Sequence, residues 1–423
     1  MALGSNPQHP QHPQRQQRPH HSHGPFSDGF FHNPDFDFEL RVVLGHAFSG
    51  AADTGEVLAA VESVGEHDHE AWFAAWLALG SRIRAAGDDQ AAAGNDISAS
   101  RSYLRAATYL GTALNAVASL PSSDALLSTF RAHRAAWDRF VDTTPVSIHR
   151  VSIPYEGTTL PGYFFRPWGL AGSGRTLVMN NGSDGAISSL WASGGAGALQ
   201  RGYNVLMFDG PGQQAMLFEH GMPFRHDWEA VITPVVDYLL GRDDVDRDKI
   251  AIYGISQGGY WVPRALAFEH RIAAAVVDPG VVDVSTSWTG HLPKSMLKLL
   301  AEGEREKFDR DMELAMKFSP DLARTWEFRA RPYQKDGYFD TITAVLNYRL
   351  DNVASSIRTP LLITDPEDEQ FWPGQSRRLA ELTPGVSTVV PFTAEEGANF
   401  HCEPLARSLV DQRMFDWLDA RLA

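Results

Sequence analysis

Ser256 stands in the run Gly254-Ile255-Ser256-Gln257-Gly258-Gly259, directly after an apolar stretch, Lys249 to Tyr253, and directly before a helix-like stretch, Tyr260 to Phe268. Small residues two before and two after a serine let the chain turn sharply from strand to helix, and that turn lifts the hydroxyl clear of the sheet as a nucleophile. The alternative is a glycine-rich turn whose serine only caps a helix, and the flanking strand and helix weigh against it. A serine hydroxyl needs a base to take its proton, and the base needs a carboxylate to orient it. His401 falls on the expected loop, in Phe392-Thr393-Ala394-Glu395-Glu396-Gly397-Ala398-Asn399-Phe400-His401-Cys402, ahead of a closing helical pattern from Leu405 to Leu422. The acid is expected just past the strand-like run Leu361 to Thr364, where the sequence continues Asp365-Pro366-Glu367-Asp368-Glu369. Asp368 is assigned, because four residues beyond the strand the loop can turn a carboxylate toward the histidine. Asp365 and Glu367 compete in the same loop, and Asp278, after the preceding strand, is an outside candidate. A tetrahedral intermediate also needs two backbone N–H donors. Gln257, next after the serine, is expected to supply one, and Ser183, in the loop Asn180-Asn181-Gly182-Ser183-Asp184-Gly185, the other.

The elements that must hold these residues are visible in the periodicity. Val146 to Ile153 and Leu160 to Phe165 are expected as an opening pair of strands. Thr176 to Met179, Asn204 to Phe208, Lys249 to Tyr253, Ala273 to Val277, Leu361 to Thr364 and Ser387 to Val390 follow as buried strands, with helical patterns between most of them. That alternation is the signature of a mostly parallel sheet covered on both faces. Upstream, three helical stripes run through Trp72, Trp76, Leu79 and Ile83, then Tyr103, Leu110, Leu114 and Val117, then Leu127, Phe130, Trp137 and Val141. The expected division is a His/Pro/Gln-rich disordered tail over 1–30, a helical cap domain over 31–143, and a catalytic domain over 144–423 with a helical insertion at about 285–357.

A chain of 423 residues, 43% hydrophobic and 21% charged, has room for a large core and an accessory domain. A net charge of -15 leaves no basic field for phosphate backbones, so no nucleic-acid partner is expected. No apolar run approaches the ~20 residues that span a bilayer, so no membrane association is expected either. The N-terminal segment lacks the apolar stretch of a secretory signal, and the lone Cys402 permits no internal disulfide, which suits a reducing cytoplasm. Neither the tail histidines nor His67 and His69 around Asp68 have ligand-like spacing, so no metal and no cofactor is assigned. A homodimer is the candidate assembly.

The chain resembles a group of α/β-hydrolases that includes bacterial dihydroxypseudooxynicotine hydrolase, fungal hydrolases that shorten polyketide pigment precursors, and proteins similar to the fermentation-respiration switch protein. The resemblance rests on Asp209-Gly210-Pro211-Gly212, on Gly254 to Tyr260, on Arg264, and on Glu395-Glu396-Gly397-Ala398 with His401-Cys402. It departs from the group at Gln214, where the glycine-rich turn usually carries another glycine. The resemblance implies an α/β-hydrolase fold with a helical cap and a Ser-Asp-His triad, and a substrate cleaved at a carbon-carbon bond beside a ketone. Aromatic residues of the insertion, foremost Trp288, Trp326 and Tyr333, would then suit a flat hydrophobic or aromatic small molecule such as a polyketide or aryl β-dicarbonyl. A carboxylesterase or an acyl-transferring cyclase would use the same triad. From another class, a non-catalytic ligand receptor on the same scaffold competes, but the serine, acids and histidine in their expected order argue against it.

Overall fold

The computed structural model describes Phe26 and residues 28–423. His9, His12, His20, His21 and His23 of the expected tail lie outside the described residues. Five helices come first: α1 (Pro34–Gly45), α2 (Thr54–Val61), α3 (His69–Ala92), α4 (Asp96–Ala116) and α5 (Leu126–Thr143). Side chains of Asn33, Asp53 and Asp68 accept the first free amides of α1, α2 and α3, so Asp68 between its two histidines is a helix cap. Trp72, Trp76, Leu79 and Ile83 bury one face of α3, and Tyr103, Leu110 and Leu114 one face of α4. On α5 the stripe is Phe130, Trp137 and Val141. Leu127 stays 37% exposed, and Leu126 packs against Phe130 in its place.

The remaining helices that matter here are α6 (Glu229–Leu240), α7 (Gly258–Leu266), α8 (Lys294–Ala301), α9 (Arg305–Phe318), α10 (Pro320–Ala330), α11 (Gly337–Val345), α12 (Gln375–Leu382) and α13 (Arg407–Arg421). The strands are β1 (Ser147–Tyr155), β2 (Thr158–Arg166), β3 (Gly174–Asn180), β4 (Asn204–Phe208), β5 (Val245–Ile255), β6 (Ala274–Asp278), β7 (Leu361–Pro366) and β8 (Ser387–Phe392). They form one sheet in the order β1-β2-β4-β3-β5-β6-β7-β8. The β1–β2 and β2–β4 pairs are antiparallel and the rest parallel. The inner strands are apolar throughout because both of their faces are covered: every residue of β4 and β6 is buried.

Successive residues of β3 divide between two cores. Leu177 and Met179 enter the core shared with α3, α4, α5 and α13, while Val178 enters the one shared with α6 and α7. The helices between β6 and β7 have a smaller core of their own, from Met296, Phe308, Met312, Met316 and Ile342. Among the described residues no helix is long and apolar enough to cross a membrane.

Candidate active site

Ser256 sits at the C-terminal end of β5 with φ +54°, a left-handed conformation that a serine adopts only when its surroundings enforce it. The enforcement comes from three glycines. A Cβ on Gly254 would stand 2.4 Å from the Gly258 carbonyl oxygen, one on Gly258 2.9 Å from that of Asn180, and one on Gly259 1.9 Å from that of Pro279. The turn is closed by the Ser256 amide, which donates to the Asp278 carbonyl at 2.6 Å, and by the Gly259 amide, which donates to Ser256 at 2.7 Å. Helix α7 departs from this turn with all its residues but Arg264 buried, and Arg264 reaches Glu229 of α6 through two hydrogen bonds.

His401 Nε2 lies 2.9 Å from the Ser256 hydroxyl. Its Nδ1 lies 2.9 Å from both carboxylate oxygens of Glu369. The residue facing the histidine is therefore Glu369 and not Asp368. The reason is the end of β7, which pairs with β8 through Asp365–Pro391 and Pro366–Phe392, two residues past the expected strand end at Thr364. The loop starts later, and its third residue, Glu369, turns inward. Asp368 points the other way, accepting from Asn399 Nδ2 at 2.6 Å, while its amide donates to the Asn399 carbonyl at 2.8 Å. Asp365 pairs with Arg377, and Glu367 accepts the Ala394 amide. Asp278 lies beneath the site, holding Tyr253 Oη at 2.6 Å and Thr364 Oγ1 at 2.8 Å.

The Glu369 and His401 side chains are each only 5% exposed, so their charges interact with little screening. Burial alone would raise the Glu369 carboxyl, but the His401 charge and hydrogen bond, with the Phe371 and Trp372 amides, hold it below the usual carboxylate range. Burial alone would lower the imidazole, and Glu369 outweighs it, so His401 is raised. Rings of Phe38, Phe371 and Trp372 surround the imidazole at 6.3, 4.7 and 5.8 Å. Phe38 belongs to α1, so the N-terminal helices touch the site directly, a contribution the periodicity of that region gave no means of finding. The thiol of Cys402 donates to the Asp278 carbonyl at 3.2 Å, and burial pushes it well above its ordinary range, away from any thiolate role.

Ser256 and His401 open on a cavity of about 420 Å³ between α1, α3, α4, α10 and the elbow. Ser183 and Gln257 line it at Ser256, and among the described residues neither amide has a protein acceptor. Gly182 lies so close that a Cβ there would be 2.8 Å from that of Ser256. Trp288 and Tyr333 line the cavity as expected positions for substrate contact, and Gln257 Nε2 donates to the Tyr333 hydroxyl at 3.5 Å. Trp326 does not reach it: its ring packs edge-on behind Trp288 at 5.2 Å, because α10 turns that residue toward Tyr338. Phe328 and Arg329 of the same helix face the cavity instead. Gln214 also lines the cavity, with φ +30°. A left-handed conformation costs a residue other than glycine about 1–3 kcal/mol, so Gln214 holds this turn at an energetic cost that a glycine would not bear.

Such a geometry, a strained serine hydrogen-bonded to a carboxylate-oriented histidine above a parallel sheet, can transfer an acyl group to water. Residues 160–405 match the model of the alpha/beta hydrolase family. The hydrolase LUC6 of a Fusarium species is 30% identical over 91% of this chain and 96% of its own length. The 20-hydroxy-prefusarin hydrolase FUS2 of Gibberella moniliformis is 27% identical over 92% of this chain and 96% of its own. Among solved structures, the 2,6-dihydroxy-pseudo-oxynicotine hydrolase superposes with a TM-score of 0.69 at 19% identity, over 90% of this chain and 95% of that one, which shows the shared fold. Since the family match spans the strands from β2 onward together with the elbow and the histidine loop, the chain belongs to the alpha/beta hydrolase family and is a hydrolytic enzyme.

Proposed function

We propose that this enzyme is a serine hydrolase that cleaves a carbon-carbon bond beside a ketone in a polyketide-like or aryl β-dicarbonyl metabolite. The observation that carries the reading is the continuous hydrogen-bonded path from Ser256 through His401 to Glu369 at the wall of an aromatic-lined cavity. Ser256 Oγ attacks the ketone carbon while His401 Nε2 takes the hydroxyl proton, and Glu369 stabilises the imidazolium. The amides of Gln257 and Ser183 receive the oxyanion. Collapse of the tetrahedral intermediate breaks the carbon-carbon bond. The electron pair leaves on the carbon next to the second carbonyl, which delocalises it as an enolate until His401 returns the proton. Water, deprotonated by the same histidine, then hydrolyses the acyl-serine. A relative named for the hydrolysis of 20-hydroxy-prefusarin aligns over nearly the whole chain, which supports a metabolite substrate.

The test is product analysis by mass spectrometry after incubating the enzyme, with Ser256→Ala beside it, with matched aryl β-diketones and aryl esters. Diketone cleavage that disappears in the variant is the expected result. Cleavage of esters alone would replace this reading by an esterase or acyl-transferring cyclase.

A further inference from the structure

Two adjacent glutamines in the turn after β4 use their side chains in opposite ways. Gln213 is fully engaged. Its Oε1 accepts the Gly210 amide at 2.8 Å, and its Nε2 donates to the carbonyls of Asn181 and Gly182 at 2.9 and 3.0 Å. It thereby ties the turn to the loop that presses on Ser256. Gln214 is only 5% exposed, and its Oε1 is buried with no hydrogen-bond partner among the described residues. The residue lines the same cavity as Ser256 and His401, and its backbone is held at φ +30°. Folding alone does not account for this combination: a glycine would fit the left-handed turn without strain, and a methionine or leucine would fill the space without leaving an amide unsatisfied. Strain and an unsatisfied polar group in one side chain at a cavity wall are expected where a ligand completes the bonding.

We propose that Gln214 is a specificity-determining residue of this site, its side-chain amide oxygen accepting a hydrogen bond from a hydroxyl group that the substrate carries away from the bond to be cleaved. Oε1 can be satisfied only by a donor, so it selects hydroxylated chains over hydrocarbon ones without requiring charge. Preference arises because an alkyl chain in the same place leaves the amide unpaired. The inference rests on the cavity being the substrate site of the proposed ketone hydrolase.

Binding to Ser256→Ala, followed by quenching of tryptophan fluorescence, tests it independently of turnover. The probes are an aryl β-diketone with an alkyl tail and the same diketone with a hydroxyl group near the tail's end. The hydroxyl-tailed probe is expected to bind about tenfold more tightly, the size of one neutral hydrogen bond, and Gln214→Met in the same background is expected to abolish the difference. Gln214→Gly is expected to abolish it too while raising the melting temperature, since it releases the left-handed strain; a scaffold role would lower it. Equal affinity for the two tails, including none for either, or a preference that survives Gln214→Met, would overturn the proposal. Discrimination by Ser256→Ala combined with no cleavage of either diketone by the unaltered enzyme would instead leave Gln214 assigned and remove the carbon-carbon reading.

Discussion

The two sides of the proposed triad are built by different means. On the serine side, the β5–α7 turn closes only with glycine at three places: a Cβ on Gly254 would strike the turn's own Gly258 carbonyl, and one on Gly258 or Gly259 the carbonyl of Asn180 or Pro279 on the neighbouring strand ends. On the histidine side, four acids crowd one short loop, and none is marked by its neighbours. Glu369 faces His401 because β7 runs on to Pro366, and because the Phe371 and Trp372 amides hold its carboxylate in place. Asp368, one residue earlier, is turned onto Asn399. A turn that admits only glycine at fixed positions can be recognised from residue types and spacing, whereas a carboxylate placed by strand register and loop packing cannot.

Substitutions can break this comparison. Ser256→Ala and His401→Ala remove the proton-transfer pair itself, and each should lower kcat by about a million-fold, with the double variant little worse, since the two act as one unit. A double variant whose losses multiplied would show that the 2.9 Å contact is not the working one. Glu369→Gln keeps the shape but cannot stabilise the imidazolium, and should cost about ten-thousand-fold in kcat. Asp368→Asn, which weakens only the tie to Asn399, should cost no more than about tenfold. Steady-state kinetics on any cleaved substrate decides between them, and equal losses would erase the distinction drawn between neighbouring acids. On the serine side the matching probe is stability. Gly259→Ala places a Cβ 1.9 Å from the Pro279 oxygen, where backbone must give way, and should destabilise by about 3 kcal/mol or more in urea unfolding.

The same division governs what could be seen in advance. All eight strands were legible: the inner ones as continuous apolar runs, because strands buried on both faces have little freedom of composition, and β1 although only alternate residues of its second half are buried. Ser256 and His401 were legible because each follows a strand at a fixed place in the chain order. The strand ends were not, and a shift of two residues at β7 was enough to misassign the acid. Trp288 and Trp326 show the matching limit for helices: both are aromatic residues between β6 and β7, yet only Trp288 lines the cavity, and the rotation of α10 that hides Trp326 leaves no trace in residue type. Phe38 was missed for a third reason. It is only half-buried and is not among the residues of α1, such as Phe36, Leu40 and Val43, that the core buries, so no helical stripe singles it out.

The smallest expected effect separates the two sides by pH. The elbow carries no titrating group, whereas the histidine loop packs on α1 and on His46, which follows it. A Cβ on Gly45 would stand 1.7 Å from the Pro404 oxygen, so the two segments are in direct contact. Burial, reinforced by the Arg407 charge, lowers His46 to about 3. In the unfolded chain a histidine takes up a proton near pH 6.5. Below that pH the unfolded state therefore binds a proton the folded state refuses, and stability is lost as pH falls from about 6.5 toward 3. Glu39, on α1 in the cavity wall, acts in the opposite sense: burial raises it to about 7 despite the Trp72 hydrogen bond. Its contribution is present at low pH and lost as pH rises from the ordinary glutamate range through 7. Both terms fall on the α1 side and oppose one another where their ranges overlap, between pH 4.5 and 6.5, so Glu39 offsets part of the acid loss that His46 causes there. His46→Gln, which removes the acid limb at this position, should reduce the drop in melting temperature between neutral and mildly acidic buffer. An unchanged drop would locate acid sensitivity elsewhere, His133 on α5 being the next buried histidine, also lowered to about 3 by burial and by Arg134.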